Sequence, residues 1–347
     1  MMPTPPANPI HTMSPRVRSL LSFLRNWALP ISMAMGVLFY FLYAAIPALD
    51  GTRPFVGRLV EVLQPALLFV LLFLSFCRIK PSDLCLRPWY LWVALIQVVT
   101  FVGLSLVLVF RPDVSTNARI LWESALLCAI CPTATAAPVI TLRLGGNIPE
   151  VVTYTILINL VVAVLFPLMA PLVDSTTGLT FVPAFLALLR KLFPLLVGPL
   201  ALAWLIRYTC PRLRDLLADT GDAAFYVWTV SLCLAIAVST RSIVHSRAPF
   251  AVLAGMALIA LVSCLFHFIV GRWLGGGGGE DETVTAGQTY MQKNTALLIW
   301  MGLMFLTPVT GVTGGFYSIW QNLINSWQLQ RRRKKQTAAS GNGIQRQ

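Results

Sequence analysis

Ten apolar stretches of roughly 20 residues, none with more than three charged residues, leave this chain few ways to fold. They lie near 27–47, 59–77, 89–110, 120–143, 150–173, 187–207, 221–240, 249–273, 286–306 and 309–327. A helix of about 20 apolar residues spans a hydrocarbon core of about 30 Å. Only 11% of the 347 residues are charged, against about a quarter in a soluble domain. That is too few to cover a water-facing surface, so much of the surface must face lipid. The expectation is an all-α integral membrane protein with about ten transmembrane helices. Arg190 and Lys191 interrupt the sixth stretch, which suggests an interfacial amphipathic segment ahead of them.

The formal charge of +13 raises nucleic acid as a partner, but its distribution argues against one. Basic residues sit in short clusters between apolar runs and in the Arg331–Lys335 block, with no basic face interleaved with aromatics. Orientation in a membrane explains them better. With the N-terminus inside, 17 Lys and Arg fall on the inner side and 8 on the outer, with Lys293 left inside a span. The bias predicts both termini in the cytoplasm and location in the cytoplasmic (inner) membrane. The stretch from Trp27 is too long and too poor in a cleavage site for a removed signal. The expected organisation is a cytoplasmic segment 1–26, a first five-helix half 27–173, a second half 174–327 and a basic cytoplasmic tail 328–347. The Gly275–Gly279 run with Glu280, Asp281 and Glu282 reads as a loop. The residues after Gln328 read as a disordered tail that touches anionic membrane lipid.

Five of seven cysteines, Cys77, Cys128, Cys131, Cys233 and Cys264, lie in apolar runs. Cys128 and Cys131 form a CxxC, but no second pair accompanies it and the three histidines are scattered. Small buried packing residues are the better reading than a metal or redox site. Glu123 and Asp222 lie near span ends and read as interfacial. Trp89, Tyr90, Trp92 and Trp327 read as aromatic belts.

Two spans differ from the rest. The fourth carries Cys131-Pro132-Thr133-Ala134-Thr135-Ala136-Ala137-Pro138. Each proline removes a backbone donor and clashes with the preceding turn, which predicts local unwinding near Thr133–Pro138. In a bilayer such backbone survives only inside protein or along a wet cavity. The ninth carries Gln288-Thr289-Tyr290-Met291-Gln292-Lys293-Asn294-Thr295. A cluster with Gln292, Lys293 and Asn294 is costly at membrane depth unless it lines a cavity or pairs internally. The alternative leaves Lys293 snorkelling at the interface, but it strands too little chain for a last span and reverses the charge bias.

The fourth and ninth spans are five apart. Two five-helix halves would each carry a broken helix in the corresponding position, and an odd count per half makes the second an inverted repeat. Paired interruptions of this kind point to a transporter's midplane binding site.

The chain resembles the bile acid:sodium symporter family. Leu91–Leu104 with Gln97 is similar to the family's third helix. Cys131–Pro171 follows its broken fourth helix, a Gly146-Asn147 turn and fifth helix. Gln292–Leu297 resembles the broken ninth helix, and Tyr317-Ser318-Ile319-Trp320-Gln321-Asn322 the tenth. The resemblance implies a core and a panel domain, broken helices that cross near the membrane centre, sodium behind the crossing and an amphipathic organic anion beside it.

Carried over position by position, most of the sodium ligands are missing. The family's Ser-Asn pair falls on Ala137-Pro138, a fifth-helix serine on Val151, the ninth-helix glutamate on Thr289 and a glutamine on Lys293; Gln97 and Thr155 are kept. An ammonium among Thr155, Gln97 and Thr289 would repel a second cation by roughly 4 kcal/mol at 4 Å and an effective dielectric of 20.

The expectation is therefore a secondary transporter of a small organic anion working by alternating access, with Lys293 in place of a bound cation. Sodium is doubted, and transport would be proton-coupled or uncoupled, since burial can bring an amine into working range. The expected pathway residues are Lys293, Asn294, Gln292, Thr289, Gln97, Thr155, Asn159, Thr133, Thr135, Pro132 and Pro138. Asn159 could equally be packing glue between helices. No metal site and no cofactor are expected. The alternatives are a sodium-coupled organic anion symporter and a non-transporting membrane sensor. A membrane enzyme is disfavoured, because neither paired carboxylates for metals nor a partnered nucleophile is present.

Overall fold

The structure, a computed structural model, describes residues 27–173, 180–218, 223–246 and 248–344. The expected segment 1–26, the boundary at 174, Asp222, Arg247 and Arg346 lie outside these residues. The described residues form helices without a strand. In chain order these are α1 (Ala28–Ala45), α2 (Arg53–Phe76) after a 3-10 turn Pro47–Thr52, and α3 (Pro88–Phe110). They continue with α4 (Thr116–Ile130), α5 (Ala137–Arg143), α6 (Ile148–Val173), α7 (Phe181–Thr209), α8 (Pro211–Ala218) and α9 (Ala223–Val244). The last are α10 (Phe250–Leu274), α11 (Glu280–Met291), α12 (Thr295–Phe305) and, after a 3-10 turn Pro308–Gly311, α13 (Val312–Ile344).

Among the described residues seven helices are long and apolar enough to cross a membrane: α1, α2, α3, α6, α7, α9 and α10. Large apolar side chains such as Phe55, Phe110, Phe250 and Trp273 lie on the outside of the protein. Lipid is the solvent that makes such exposure stable, so the chain is a membrane-embedded all-α protein. The rest of the apolar sequence lies in two interrupted pairs, α4 with α5 and α11 with α12, and in α13.

The fourth stretch breaks slightly earlier than expected, over residues 131–136. Pro132 ends α4, whereas Pro138 sits in the first turn of α5, where its missing N–H costs nothing. The ninth breaks at Gln292, Lys293 and Asn294, and the Asn294 side chain caps α12 by accepting from Leu297 N at 3.2 Å.

Several expectations are corrected. Glu280, Asp281 and Glu282 form the first turn of α11 rather than a loop, because carboxylates there oppose the positive end of the helix dipole. Arg190 and Lys191 are exposed but do not interrupt α7, and Lys191 Nζ lies 5.7 Å from the Trp300 ring centroid. The residues after Gln328 continue α13 as helix, being rich in Gln, Arg, Lys and Ala, which all favour it. Trp89 and Tyr90 are buried rather than belted: Trp89 stacks on Tyr154 at 5.6 Å, and the Tyr90 hydroxyl donates to the Glu150 carbonyl at 3.1 Å. Trp92 and Trp327 are exposed, as an aromatic belt requires.

The helices pack in two groups. In one, α9 lies against α1 and α2, and α2 against α7. In the other, α10 lies against α4, α11 and α13, and α3 against α4 and α6. The largest buried apolar cluster runs through the second group and includes Phe101, Leu127, Ile158, Phe166 and Met301. The two groups meet where α9 packs on α13 and α6 on α7.

Candidate functional site: the crossing of two broken helices

The two breaks meet as a short antiparallel pair. Ala134 N donates to the Gln292 carbonyl at 2.7 Å, and Asn294 N donates to the Pro132 carbonyl at 2.9 Å. Thr133 and Lys293 therefore face each other across the pair. The exchange satisfies backbone groups that the prolines and the polar cluster remove from the helical ladders. Thr133 Oγ1 adds a bond to the Thr289 carbonyl at 2.9 Å, and Cys131 Sγ one to the Asn294 carbonyl at 3.1 Å. Two helix C-termini, at Ile130 and Met291, and two N-termini, at Ala137 and Thr295, thus converge on one point. Free amides there suit an anion and free carbonyls suit a cation.

Lys293 is 1% exposed, which removes the snorkelling alternative. Its Nζ donates to Gln97 Oε1 at 3.3 Å and lies 4.6 Å from the Tyr290 ring centroid. The thiols of Cys131, Cys128 and Cys264 are its other electrostatic neighbours. Among the described residues no carboxylate forms an ion pair with it. Gln97 is itself anchored, since its Nε2 donates to the Ile130 carbonyl at 2.9 Å and the Cys131 carbonyl at 3.3 Å. The amide thus donates to carbonyls at the end of α4 on one side and presents an oxygen to the ammonium on the other.

One face of the crossing opens into a cleft between the two helix groups. Gln64 of α2, Trp228 of α9, Thr135, Asn294 and Ser318 are among its lining residues, as are Lys293 and Gln292.

The structure brings together most of the residues expected to form a pathway. Pro132, Thr133, Thr289, Gln292, Lys293 and Asn294 build the crossing, Gln97 supports it, and Thr135 borders the cleft. Pro138 lies in the first turn of α5. Thr155 and Asn159 are buried on α6 but bond along their own helix: Thr155 Oγ1 donates to the Val151 carbonyl, and Asn159 Nδ2 to the Thr155 carbonyl.

Other residues at the site gave no distinct signal in sequence. Gln321 Oε1 accepts from Lys293 N at 2.9 Å, and the Tyr317 hydroxyl donates to the Met291 carbonyl at 2.9 Å. Buried His267 holds Tyr317 through Nδ1 at 2.9 Å and sits 4.5 Å from the Tyr290 ring. Tyr317 and Gln321 stand in the segment that resembles the family's tenth helix, which was the one hint available. His267 reads as a lone histidine on an apolar helix.

Glu123 corrects another expectation, because it is fully buried rather than interfacial. Its carboxylate accepts from Arg119 Nε at 3.1 Å, Thr307 N at 3.0 Å and Thr310 Oγ1 at 2.9 Å. It clamps α4 to the turn that follows α12, so both broken helices are tied at that end as well as at the crossing. Cys77, Cys128, Cys131 and Cys264 are buried free thiols, as packing residues should be, while Cys233 is partly exposed.

No protein-family model matches this chain, and no curated protein matches it significantly.

Proposed function

We propose that the protein is a secondary transporter of a small organic anion that works by alternating access. Counted with α13 and the two broken helices, the seven long helices make ten crossings, arranged as two inverted five-helix repeats. The observation that carries this reading is the antiparallel meeting of Thr133 and Lys293, five spans apart, at the edge of a cleft between two helix groups. Paired broken helices at such a place are the usual construction of a transport site. A sensor needs no such pair, and buried polar backbone at membrane depth is otherwise a liability.

Lys293 takes the place of a bound cation in this reading. Its ammonium meets an amide oxygen and a tyrosine ring, both suited to a positive charge. A sodium ion behind the crossing would meet that charge with no compensating carboxylate. Transport is then sodium-independent, driven by protons or by the solute gradient alone.

The test needs no substrate. Melting temperature in detergent is compared in sodium and in matched potassium or choline, from pH 5 to 9. An ion that binds the folded state alone raises stability by mass action. No sodium-specific rise is expected, and any pH-dependent shift is expected to disappear in Lys293→Gln. A saturable sodium-specific rise overturns the lysine surrogate; pH dependence unchanged in the variant overturns its role in proton coupling.

A further inference from the structure

The short helix α8 follows α7 after a single residue, Cys210, so it begins where a helix apolar enough to cross a membrane ends. Pro211 stands at its first position, where a proline's missing N–H costs nothing. No residue of α8 is buried. Leu213 and Leu216, three residues apart and so on one face, are both exposed, Leu216 to 69%. Tyr208, at the end of α7, is 71% exposed. Leu217 packs against the apolar cluster at the end of α2.

The elbow between α7 and α8 is fastened to α2. Arg207 Nη2 donates to the Cys77 carbonyl at 3.0 Å and to the Ile79 carbonyl at 2.9 Å. Helix α8 packs on both α7 and α2, and Arg214 shares Cys77 with Arg207 as an electrostatic neighbour. Basic residues gather there: Arg78 and Lys80 after α2, Arg207 on α7, Arg212 and Arg214 on α8. Between 77 and 83 and between 207 and 218 the only acids are Asp83 and Asp215. Asp215 pairs with Arg214 at 3.1 Å, and Lys80 and Arg212 are exposed.

Water is a poor solvent for the leucine face, and among the described residues nothing covers it. A helix at the end of a span, with leucines on one face and guanidinium groups beside them, suits the membrane interface. Cations at that depth meet lipid phosphates, and an exposed tyrosine sits well at headgroup level. We infer that the elbow of α8 with the end of α2 binds an anionic phospholipid of the adjoining leaflet. Its phosphate lies against Lys80, Arg212 and Arg214, and its acyl chains against Tyr208, Leu213 and Leu216. A free phosphate ion would satisfy the cations but leave the leucines bare. In the orientation predicted by the charge bias the leaflet is the cytoplasmic one. The site is separate from the crossing and the cleft and stands whether or not the protein transports anything.

The experiment follows the melting temperature of the full-length protein in detergent as phosphatidylglycerol, phosphatidylcholine with the same chains, or inorganic phosphate is added. Phosphatidylglycerol is expected to raise it saturably by mass action, and the other two to leave it unchanged. An equal rise with phosphatidylcholine or with inorganic phosphate overturns the inference. In Arg212→Gln/Arg214→Gln the apparent affinity for phosphatidylglycerol is expected to fall by about tenfold or more. The lipid-free melting temperature should stay near that of the wild type, since no residue of α8 is buried. An affinity unchanged in the variant places the lipid elsewhere, as at the Arg331–Lys335 block, and overturns the inference too. Should the double variant fail to fold, Arg212→Gln, at an exposed side chain, decides by a fall of about fivefold.

Discussion

Gln97 and Lys293 are 196 residues apart in sequence and meet through one amide oxygen, 3.3 Å from the ammonium. The same amide donates through its nitrogen to the carbonyls of Ile130, the last residue of α4, and of Cys131 just beyond it. A single side chain on an unbroken helix therefore links the end of one broken helix to the charge on the other.

Gln97→Leu removes both contacts and leaves a buried ammonium and buried carbonyls unmet. A loss of about 2–3 kcal/mol is expected, seen as a lower melting temperature in detergent. Gln97→Glu is expected to recover part of it, since a carboxylate can pair with the ammonium although it cannot donate to the Ile130 carbonyl. Equal melting of the leucine variant and the wild type would show that the amide is not a support.

Glu123 should matter as much as any residue at the crossing. Glu123→Ala leaves Thr307 N and Thr310 Oγ1 without an acceptor and Arg119 without its pair, for an expected loss of about 3–5 kcal/mol. A double-mutant cycle with Thr310→Val isolates the clamp: the two changes should be markedly non-additive, since they share one bond.

The exposed pair between Lys335 and Glu280 predicts the opposite. Its side chains are 66% and 83% exposed, so solvent screens it and ordering long side chains offsets the gain. Lys335→Ala is expected to change stability by less than about 0.5 kcal/mol. A larger loss in a melting experiment would mean that the far end of α13 is held by more than this ion pair.

Gly302 marks where α12 and its return turn approach closest. A Cβ there would lie 2.6 Å from Gly311 N, a backbone atom that cannot step aside. Gly302→Ala is expected to cost about 1–3 kcal/mol. Gly103, whose Cβ would meet nothing within 4 Å, is the control: Gly103→Ala should cost nothing and gain up to about 1 kcal/mol in helix propensity.

The breaks were legible because their causes are local. Pro132 cannot continue a helix, and Gln292, Lys293 and Asn294 stand out in an apolar run by composition alone. The error of a few residues at Pro138 arose because a proline can end one helix or begin the next. Glu123 was misread for the opposite reason. A carboxylate near the end of an apolar run ordinarily faces water, and nothing nearby in sequence announces Thr307 and Thr310. The helical continuation of α13 was missed because a polar, basic stretch looks the same whether it is docked or free.

The sequence by itself determined that this chain must live in lipid, roughly where its apolar spans lie, and which two of them cannot be continuous. Those follow from hydropathy and from proline chemistry, which act within a few residues. Only the tertiary structure decided that the breaks pair with each other, that Gln97 and Tyr290 receive the Lys293 charge, and that Glu123 holds the turn after α12. Such contacts depend on how helices far apart in sequence pack, and a buried charge or amide takes its meaning from whatever partner that packing supplies.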